Sequence, residues 1–355
     1  MNVTEYKTTI LERFSGSVEI LENVPTKKVT TFGLGSPIPL LLEPSNISVL
    51  RELLCFLKEA NVRWYMLGAG SNTVFPDAPL QKVIIRLGRA FDKTYFYSAL
   101  PELSPQNFAR FGESDEIFGD FSKELDASLP LGEHVYALTF ARTSLINLSS
   151  QVSSKGFSGL EYGGGIPASV GGAVLIHAGA HGWAIGSVVE AVWILNNDGQ
   201  LLRIGKDELE FSYRHSNLPV DGIVLATLLR LTRQDVTEVM AKRQHGLDYR
   251  KKNQPITMPS SGSIFRNPSG STIVNTIASE PTALPPAGKL IDDAGLKGFR
   301  IGTCEVSSVN ANWIVRVAED GKQEDLLKIM QAVKDKVLEM SGIELCSEVK
   351  IVSSY

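Results

Sequence analysis

The sequence predicts a mixed α+β protein, and three observations carry that reading. Segments with the 3.6-residue period of a helix alternate with short apolar runs of strand type along most of the 355 residues. Asn197-Asp198-Gly199, set between two apolar runs, is a hairpin signal, because these residues tolerate the positive φ that tight hairpin turns require. Near the N-terminus a strand–helix–strand pattern carries a glycine loop at the C-terminal end of a strand.

The elements follow in order. Residues 46–60 place Leu50, Leu53, Leu54 and Leu57 on one helical face, with Ser45 or Asn46 as the cap. A short strand over 64–67 ends in Gly68-Ala69-Gly70-Ser71-Asn72, and a further strand covers 82–87. From Arg89 to about Gly132 no period is sustained, and the segment reads as an irregular insertion or loop, peripheral to any site. Order returns with a strand over 134–140 and a helix over 144–155 that aligns Leu145, Leu148 and Val152. Strands are expected at 188–196, 200–204 and 223–231, and a polar helix at 235–247 leads into Arg250-Lys251-Lys252. A short helix over 288–294 stops at Gly295. The helix 324–340 puts Leu326, Leu327, Met330, Val333 and Val337 on one face and stops at Gly342, and a strand over 348–352 closes the chain.

Length gives two or three domains, and 43% hydrophobic residues suffice for real cores. A net charge of -4 argues against a general nucleic-acid binder, while leaving room for an anionic small ligand held by local Arg and Lys. Cys55, Cys304 and Cys346 are scattered with no metal-type spacing; they suit a reducing cytosol, where a lone Cys is mostly a small core residue. The N-terminal residues mix charge with apolar groups, unlike a signal peptide. The most apolar long run, 163–185, is too rich in glycine and too broken by Pro167 and two histidines to span a membrane. The expectation is a cytoplasmic protein with no membrane, nucleic-acid or obligate protein partner.

Two glycine loops bear on chemistry. In Gly68-Ala69-Gly70-Ser71-Asn72 the backbone can approach a ligand closely, and successive N–H groups can meet phosphate oxygens; a tight turn is the plain alternative. The Rossmann fingerprint is not met. In the run from Gly159 to Val174, each glycine costs roughly 0.5–1 kcal/mol relative to Ala unless its backbone lies against something. A large flat or polyanionic cofactor is the natural candidate. His177-Ala178-Gly179-Ala180-His181-Gly182 continues the pattern, but no third ligand stands near the histidines, so no metal site is expected. A last stretch, Ser260–Pro268, reads SSGSIFRNP: by itself a turn leading into a buried Ile264–Phe265 strand.

Taken together and in this order, the 68–72 loop, the 159–182 run, Tyr213-Arg214-His215-Ser216, SSGSIFRNP and Leu345-Cys346-Ser347-Glu348-Val349 closely resemble the UDP-N-acetylenolpyruvoylglucosamine reductase family, from about Val24 to Val352. The resemblance implies a three-domain FAD-binding fold of the vanillyl-alcohol-oxidase type with a separate substrate-binding domain. Residues 1–87, completed by about 348–355, would form the first FAD-binding subdomain and 88–250 the second, with the insertion at about 89–132; residues 251–347 would bind substrate. The short link between Leu231 and Val236 resembles the shorter subtype, which lacks a tyrosine-bearing loop.

The resemblance further implies noncovalent FAD and NADPH-dependent reduction of UDP-N-acetylglucosamine enolpyruvate to UDP-N-acetylmuramate, a step in peptidoglycan precursor synthesis. FAD would be held by Gly68-Ala69-Gly70-Ser71-Asn72, by Gly165-Ile166-Pro167, Ser169-Val170-Gly171-Gly172, and by His177, Gly179 and Gly182. Ser263 matches the family's proton donor, Arg214 the cation at the substrate carboxylate and Glu348 the acidic partner; Tyr213, Lys252 and Asn267 fall at substrate-binding positions. An alcohol is a weak acid, so Ser263 needs a strongly basic, carbanionic acceptor, which an enolate-like carbon provides. An always-charged guanidinium fork suits a carboxylate. Departures from the family pattern stand at Arg142, Ala168, His177, Asn253, Asn310 and Arg316; none removes a catalytic group, and Lys251 or Lys252 could supply the cation missing at Asn253. The rival readings are another flavin-dependent sugar or lactone oxidoreductase of this fold, and a non-catalytic nucleotide-sugar binding relative.

Overall fold

The computed structural model describes residues 3–104, 108, 129–219, 221–269 and 284–355. It is α+β throughout, and its contacts divide into two compact units: Met1–Leu21, Leu40–Ala69 and Lys82–Tyr249 in the first, Glu22–Pro39, Gly70–Gln81 and Arg250–Tyr355 in the second.

The first unit holds two sheets. Val18–Val24, Ile38–Pro44, Val83–Ile85 and Trp64–Met66 lie side by side in that order, the last three mutually parallel. The helix Ile47–Glu59 crosses between two of these strands. Asn46 caps it, its side chain accepting from the Val49 N–H at 2.9 Å, and Leu50, Leu53, Phe56 and Leu57 are buried beneath it. The second sheet is antiparallel, in the order Leu201–Gly205, Val189–Leu195, Ile223–Arg233, His134–Phe140, Thr94–Tyr97, with Phe157–Ser158 added at the end of Ile223–Arg233. The 197–199 turn closes its expected hairpin, with Gly199 at φ 73.

Thr94–Tyr97 corrects the sequence reading of 89–132. It is an edge strand, paired Thr94↔Thr139 to Tyr97↔Tyr136, and its Tyr95, Phe96 and Tyr97 are buried. Phe108 is also fully buried, stacked on Phe140 at 5.5 Å and on Trp193 at 5.1 Å. A four-residue strand with apolar side chains on both faces has no alternation and so leaves no periodic signal in the sequence. Residues 105–107 and 109–128 lie outside the described residues.

A buried ion cluster ties the two sheets of this unit together. Glu43 is 4% exposed; Arg86 and Arg142 both bond its carboxylate, Arg142 at 2.8 Å, and Arg142 also donates to the Leu87 carbonyl. Glu43 ends one parallel strand, Arg86 follows another, and Arg142 follows His134–Phe140.

In the second unit, Ser260–Ser263, Trp313–Arg316, Cys304–Val306 and Arg300–Ile301 form an antiparallel sheet in that order. The helix Gln323–Ser341 buries Leu326, Ile329, Met330, Val333 and Val337, and Gly342 ends it at φ 69. Leu327, expected on that face, is 41% exposed, because one residue is a 100° step away from Leu326; Ile329 takes its place. The C-terminal strand is short: Lys350–Ile351 pairs parallel with Thr73–Val74. The polar helix is longer than expected, Val236–Asn253, and carries the Arg250-Lys251-Lys252 run as its last turn.

Only one cysteine is a core residue: Cys304 is buried, whereas Cys55 and Cys346 are exposed. Burial, reinforced by the charges of Asp325 and Asp77, pushes the Cys304 thiol up to about 12, against partial offsets from a Thr303 hydrogen bond and Arg316. Thiolate, the reactive form, is therefore scarce at neutral pH. A thiol reagent at about pH 8 is expected to label Cys55 and Cys346 in the native protein and Cys304 only after denaturation, as counted by mass spectrometry; native labelling at Cys304 would contradict this burial. Glu43→Gln is expected to destabilise the fold by about 3 kcal/mol, since it leaves two partly buried guanidinium groups short of their counter-charge. Arg142→Ala, which leaves Glu43 paired with Arg86, is expected to cost about 1 kcal/mol. Urea unfolding followed by tryptophan fluorescence gives both values, and equal costs would argue against the cluster.

Candidate active site

The first unit contributes one group of the expected residues. Ser169 caps the short helix Val170–Leu175, its hydroxyl accepting from the Gly172 N–H at 3.3 Å. The preceding loop is sewn to the turn after His134–Phe140: Leu145 N–H donates to Ala168 O, Val170 N–H to Thr143 O and Gly171 N–H to Ala141 O, at 2.9–3.0 Å. A side chain on Gly68 would come within 3.0 Å of the Ser169 hydroxyl, so Gly68 and Ser169 are neighbours. Two loops expected to share a ligand thus meet, and Gly68, Ala69 and Pro167 at their junction are exposed.

Two glycines of the 159–174 run lie tightly against the protein itself. A Cβ on Gly171 would stand 2.6 Å from that of Ala141, and one on Gly164 would stand 2.9 Å from both Arg243 Nε and Ser149 Oγ. The close approach is real, but the approaching atoms are the protein's own. The N–H groups of Val170, Gly171 and Gly172 are spent inside the fold, so this loop offers a ligand its small surface and side chains rather than those N–H groups. Upstream, buried Glu161 accepts from Ser158 Oγ at 2.6 Å and from the Gly159 N–H at 2.8 Å, holding the entry to the loop.

Arg214 sits at the tip of the two-residue hairpin joining Phe211–Ser212 to His215–Ser216. Its φ is 56, a left-handed conformation that costs a non-glycine residue about 1 kcal/mol or more. Its guanidinium donates to His177 O at 3.5 Å and Gly179 O at 3.3 Å. The His177 Nδ1 in turn lies 2.6 Å from Ser212 O, and its ring packs 4.9 Å from that of Phe211. His177 and His181 are also left-handed, at φ 46 and 55. His177, Gly179 and Arg214 are therefore one bonded cluster, with exposed Tyr213 beside it and the Arg214 guanidinium 5.4 Å from the tyrosine ring. Gly182 lies in the tight turn between Gly179–Ala180 and Trp183–Ala184, at φ 76.

The second unit holds Ser263 and Glu348. Ser260 pairs with Val315 and Ser263 with Trp313, so the strand carries an extra residue, a bulge in which Gly262 takes φ 78. Immediately after it, Ile264 and Phe265 are buried, at 0% and 1% exposure. Glu348 N–H donates to Ile264 O at 2.8 Å, Arg266 N–H to Cys346 O at 2.9 Å, and Phe265 bridges Ser347. Ser263 and Glu348 are thus on adjoining segments, both half-buried. Asn72 belongs with them: its side chain donates to Glu348 O at 3.3 Å and its carbonyl accepts from Lys350 N–H at 3.0 Å. Gly70, at φ 69, lies against the Val29 carbonyl with no room for a Cβ. Asn267 accepts from the Ala287 N–H at 3.1 Å, at the start of the helix Ala287–Asp293. Lys252 is exposed in the last turn of its helix. Ser261 Oγ, Gln254 Oε1, Arg266 Nε and Arg316 Nε are buried without a hydrogen-bond partner among the described residues. Also among these residues, no helix is long and apolar enough to cross a membrane, and no group of His, Cys, Asp or Glu could hold a metal ion.

Sequence reasoning missed one residue of this site. Asn312 is 7% exposed and its amide meets both the N–H and the carbonyl of Phe265. Its only sequence signal is a polar residue between Ala311 and the apolar strand Trp313–Arg316.

Comparison with known proteins agrees with these features. The family model "UDP-N-acetylenolpyruvoylglucosamine reductase, C-terminal domain" matches residues 254–352. The UDP-N-acetylenolpyruvoylglucosamine reductase of Anoxybacillus flavithermus is 34% identical over 346 residues, covering 97% of each chain. That of Bacillus subtilis is 32% identical over 337 residues, 94% of each. The solved UDP-N-acetylenolpyruvylglucosamine reductase of Thermus caldophilus, 27% identical, superposes with a TM-score of 0.66 over 95% of this chain and 99% of that one. With this degree of identity over nearly its whole length, the chain belongs to the UDP-N-acetylenolpyruvoylglucosamine reductase family.

Proposed function

We propose that this protein catalyses the NADPH-dependent reduction of UDP-N-acetylglucosamine enolpyruvate to UDP-N-acetylmuramate, using noncovalent FAD, in the cytoplasm, as a step of peptidoglycan precursor synthesis. The observation that carries the reading is the Glu348 N–H to Ile264 O bond of 2.8 Å, which brings the Glu348 backbone beside the segment bearing Ser263 in a chain of this family. The residues present suit FAD: the junction of Gly68 with Ser169 is built of small residues and leaves Gly68, Ala69 and Pro167 exposed, a surface that suits a flat aromatic cofactor. Gly68, Ala69, Ser169 and the neighbouring Gly165-Ile166-Pro167 would hold it, with residues 1–87, completed by about 348–355, and residues 88–250 as its subdomains, and residues 251–347 binding the nucleotide sugar.

The chemistry supplied by bound FAD is relay of a hydride from NADPH to the terminal carbon of the enolpyruvyl ether. Charge then collects on the substrate carboxylate. Arg214, whose guanidinium is held by two backbone carbonyls, binds that carboxylate and stabilises the enolate-like form. Ser263 gives its hydroxyl proton to the adjacent carbon, and Glu348 steadies the same region through a hydrogen bond. Tyr213, Lys252 and Asn267 contact the rest of the substrate.

The test is the visible spectrum of the purified protein. It is expected to reconstitute with FAD, bleach on NADPH and recover on adding the enolpyruvyl substrate; retention of colour after denaturation would favour a covalent flavoprotein, and recovery with other sugars only would favour a different oxidoreductase. Ser263→Ala is expected to leave reduction by NADPH within about twofold of the unsubstituted rate and to slow reoxidation by the substrate by about 10²–10⁴-fold. Ser263→Cys should retain more activity, since a thiol can still donate a proton. Rapid mixing separates the two half-reactions, and equal slowing of both by Ser263→Ala would make the serine structural.

A further inference from the structure

Asn312 has an arrangement that packing alone does not require. Its side-chain oxygen accepts the Phe265 N–H at 3.0 Å, and its side-chain nitrogen donates to the Phe265 carbonyl at 2.8 Å. Its own carbonyl accepts the Ile264 N–H at 2.9 Å, and its N–H is held by Asn310 Oδ1 at 3.1 Å. A side-chain amide carries the same donor and acceptor as a peptide. Asn312 therefore extends the ladder between Ser260–Ser263 and Trp313–Arg316 by one rung, at the point where the backbone before Trp313 turns away through a Trp313 N–H to Asn310 O bond.

That rung falls on Phe265, between the segments that carry the two expected catalytic groups. On one side is Ser263, two residues before Phe265. On the other, the Ile264 carbonyl accepts the Glu348 N–H, and the Arg266 N–H donates to Cys346. Phe265 is buried, so water cannot replace a lost partner, and an unmet buried N–H or carbonyl would drive the peptides flanking Phe265 to rotate. Rotation there displaces Ser263 and releases Glu348 together.

We propose that Asn312 is a positioning residue: its amide fixes the two peptides on either side of Phe265 and so the placement of Ser263 relative to Glu348. This rests on the function proposed above, and two readouts separate the claims. The first needs no turnover. In the FAD-loaded protein, Asn312→Ala is expected to raise amide hydrogen exchange by about tenfold or more in peptides covering 263–266 and 346–349, with the helix Gln323–Ser341 unchanged. Exchange that is unaltered, or that rises equally in that helix, overturns the proposal.

The second is the pair of half-reactions. Asn312→Ala is expected to leave FAD reduction by NADPH within about twofold and to slow reoxidation by the enolpyruvyl substrate by about 10–10²-fold, the scale of a small misplacement. Asn312→Asp adds a pH signature and serves if the alanine variant folds poorly. A neutral carboxylic acid donates and accepts as the amide does, whereas a carboxylate can only accept and faces the Phe265 carbonyl. Reoxidation of Asn312→Asp is therefore expected to climb toward the unsubstituted rate as pH falls from about 8 to about 5.5, a climb absent from the unsubstituted protein. Equal slowing of both half-reactions, or no such climb, overturns the positioning role. If the unsubstituted protein is not reduced by NADPH or not reoxidised by that substrate, the proposed function fails, while the exchange measurement still decides the placement of the two peptides.

Discussion

The three-residue segment Ile264–Arg266 is the constraint on which the second unit is organised. Its backbone is held on one edge by Asn312 and on the other by Cys346 and Glu348, while Ile264 and Phe265 sink into the core beneath the helix Gln323–Ser341. Each apolar anchor is worth about 2–3 kcal/mol on burial, and each hydrogen bond only about 1 kcal/mol net. The asymmetry matters more than the sum. The anchors make the segment dry, and once it is dry every backbone group must be paired. Ser263 and Glu348 are aligned because this accounting leaves their segments one arrangement. Asn72 extends it, linking the 68–72 loop to the same strand through Glu348 and Lys350.

The first unit uses a different device, close approach without side chains. Gly164 between Arg243 and Ser149 lets the loop before Val170–Leu175, and Gly171 against Ala141 the start of that helix, lie close on their neighbours. The cost of so many glycines implied that something presses on their backbone, and at Gly164 and Gly171 the fold itself does. This packing leaves Gly68, Ala69 and Pro167 at the surface, where the proposed cofactor would meet them. Strain marks the same region: His177, His181 and Arg214 hold left-handed backbones, and His177 and Arg214 sustain each other through the Arg214 bond to His177 O and the His177 contact with Ser212.

The sequence by itself determined whatever depends on neighbours a few residues apart. Asn46 as a cap, the 197–199 hairpin, the stop at Gly342 and the helices around Leu50 and Val333 were legible, because periodicity and turn chemistry are local. Ordered motifs likewise pointed to the family and to Ser263, Arg214 and Glu348. Tertiary structure decided what depends on distant partners. Thr94–Tyr97 is a strand because His134–Phe140 pairs with it, and Cys346 is exposed while Cys304 is not, although nothing local distinguishes them. A one-residue step of 100° decided between Leu327 and Ile329. Asn312 acts on a peptide 47 residues away, a pairing with no signature in either stretch, since the amide does there what a strand would otherwise do. Only the folded chain, where that rung of the ladder is missing, gives this asparagine its place.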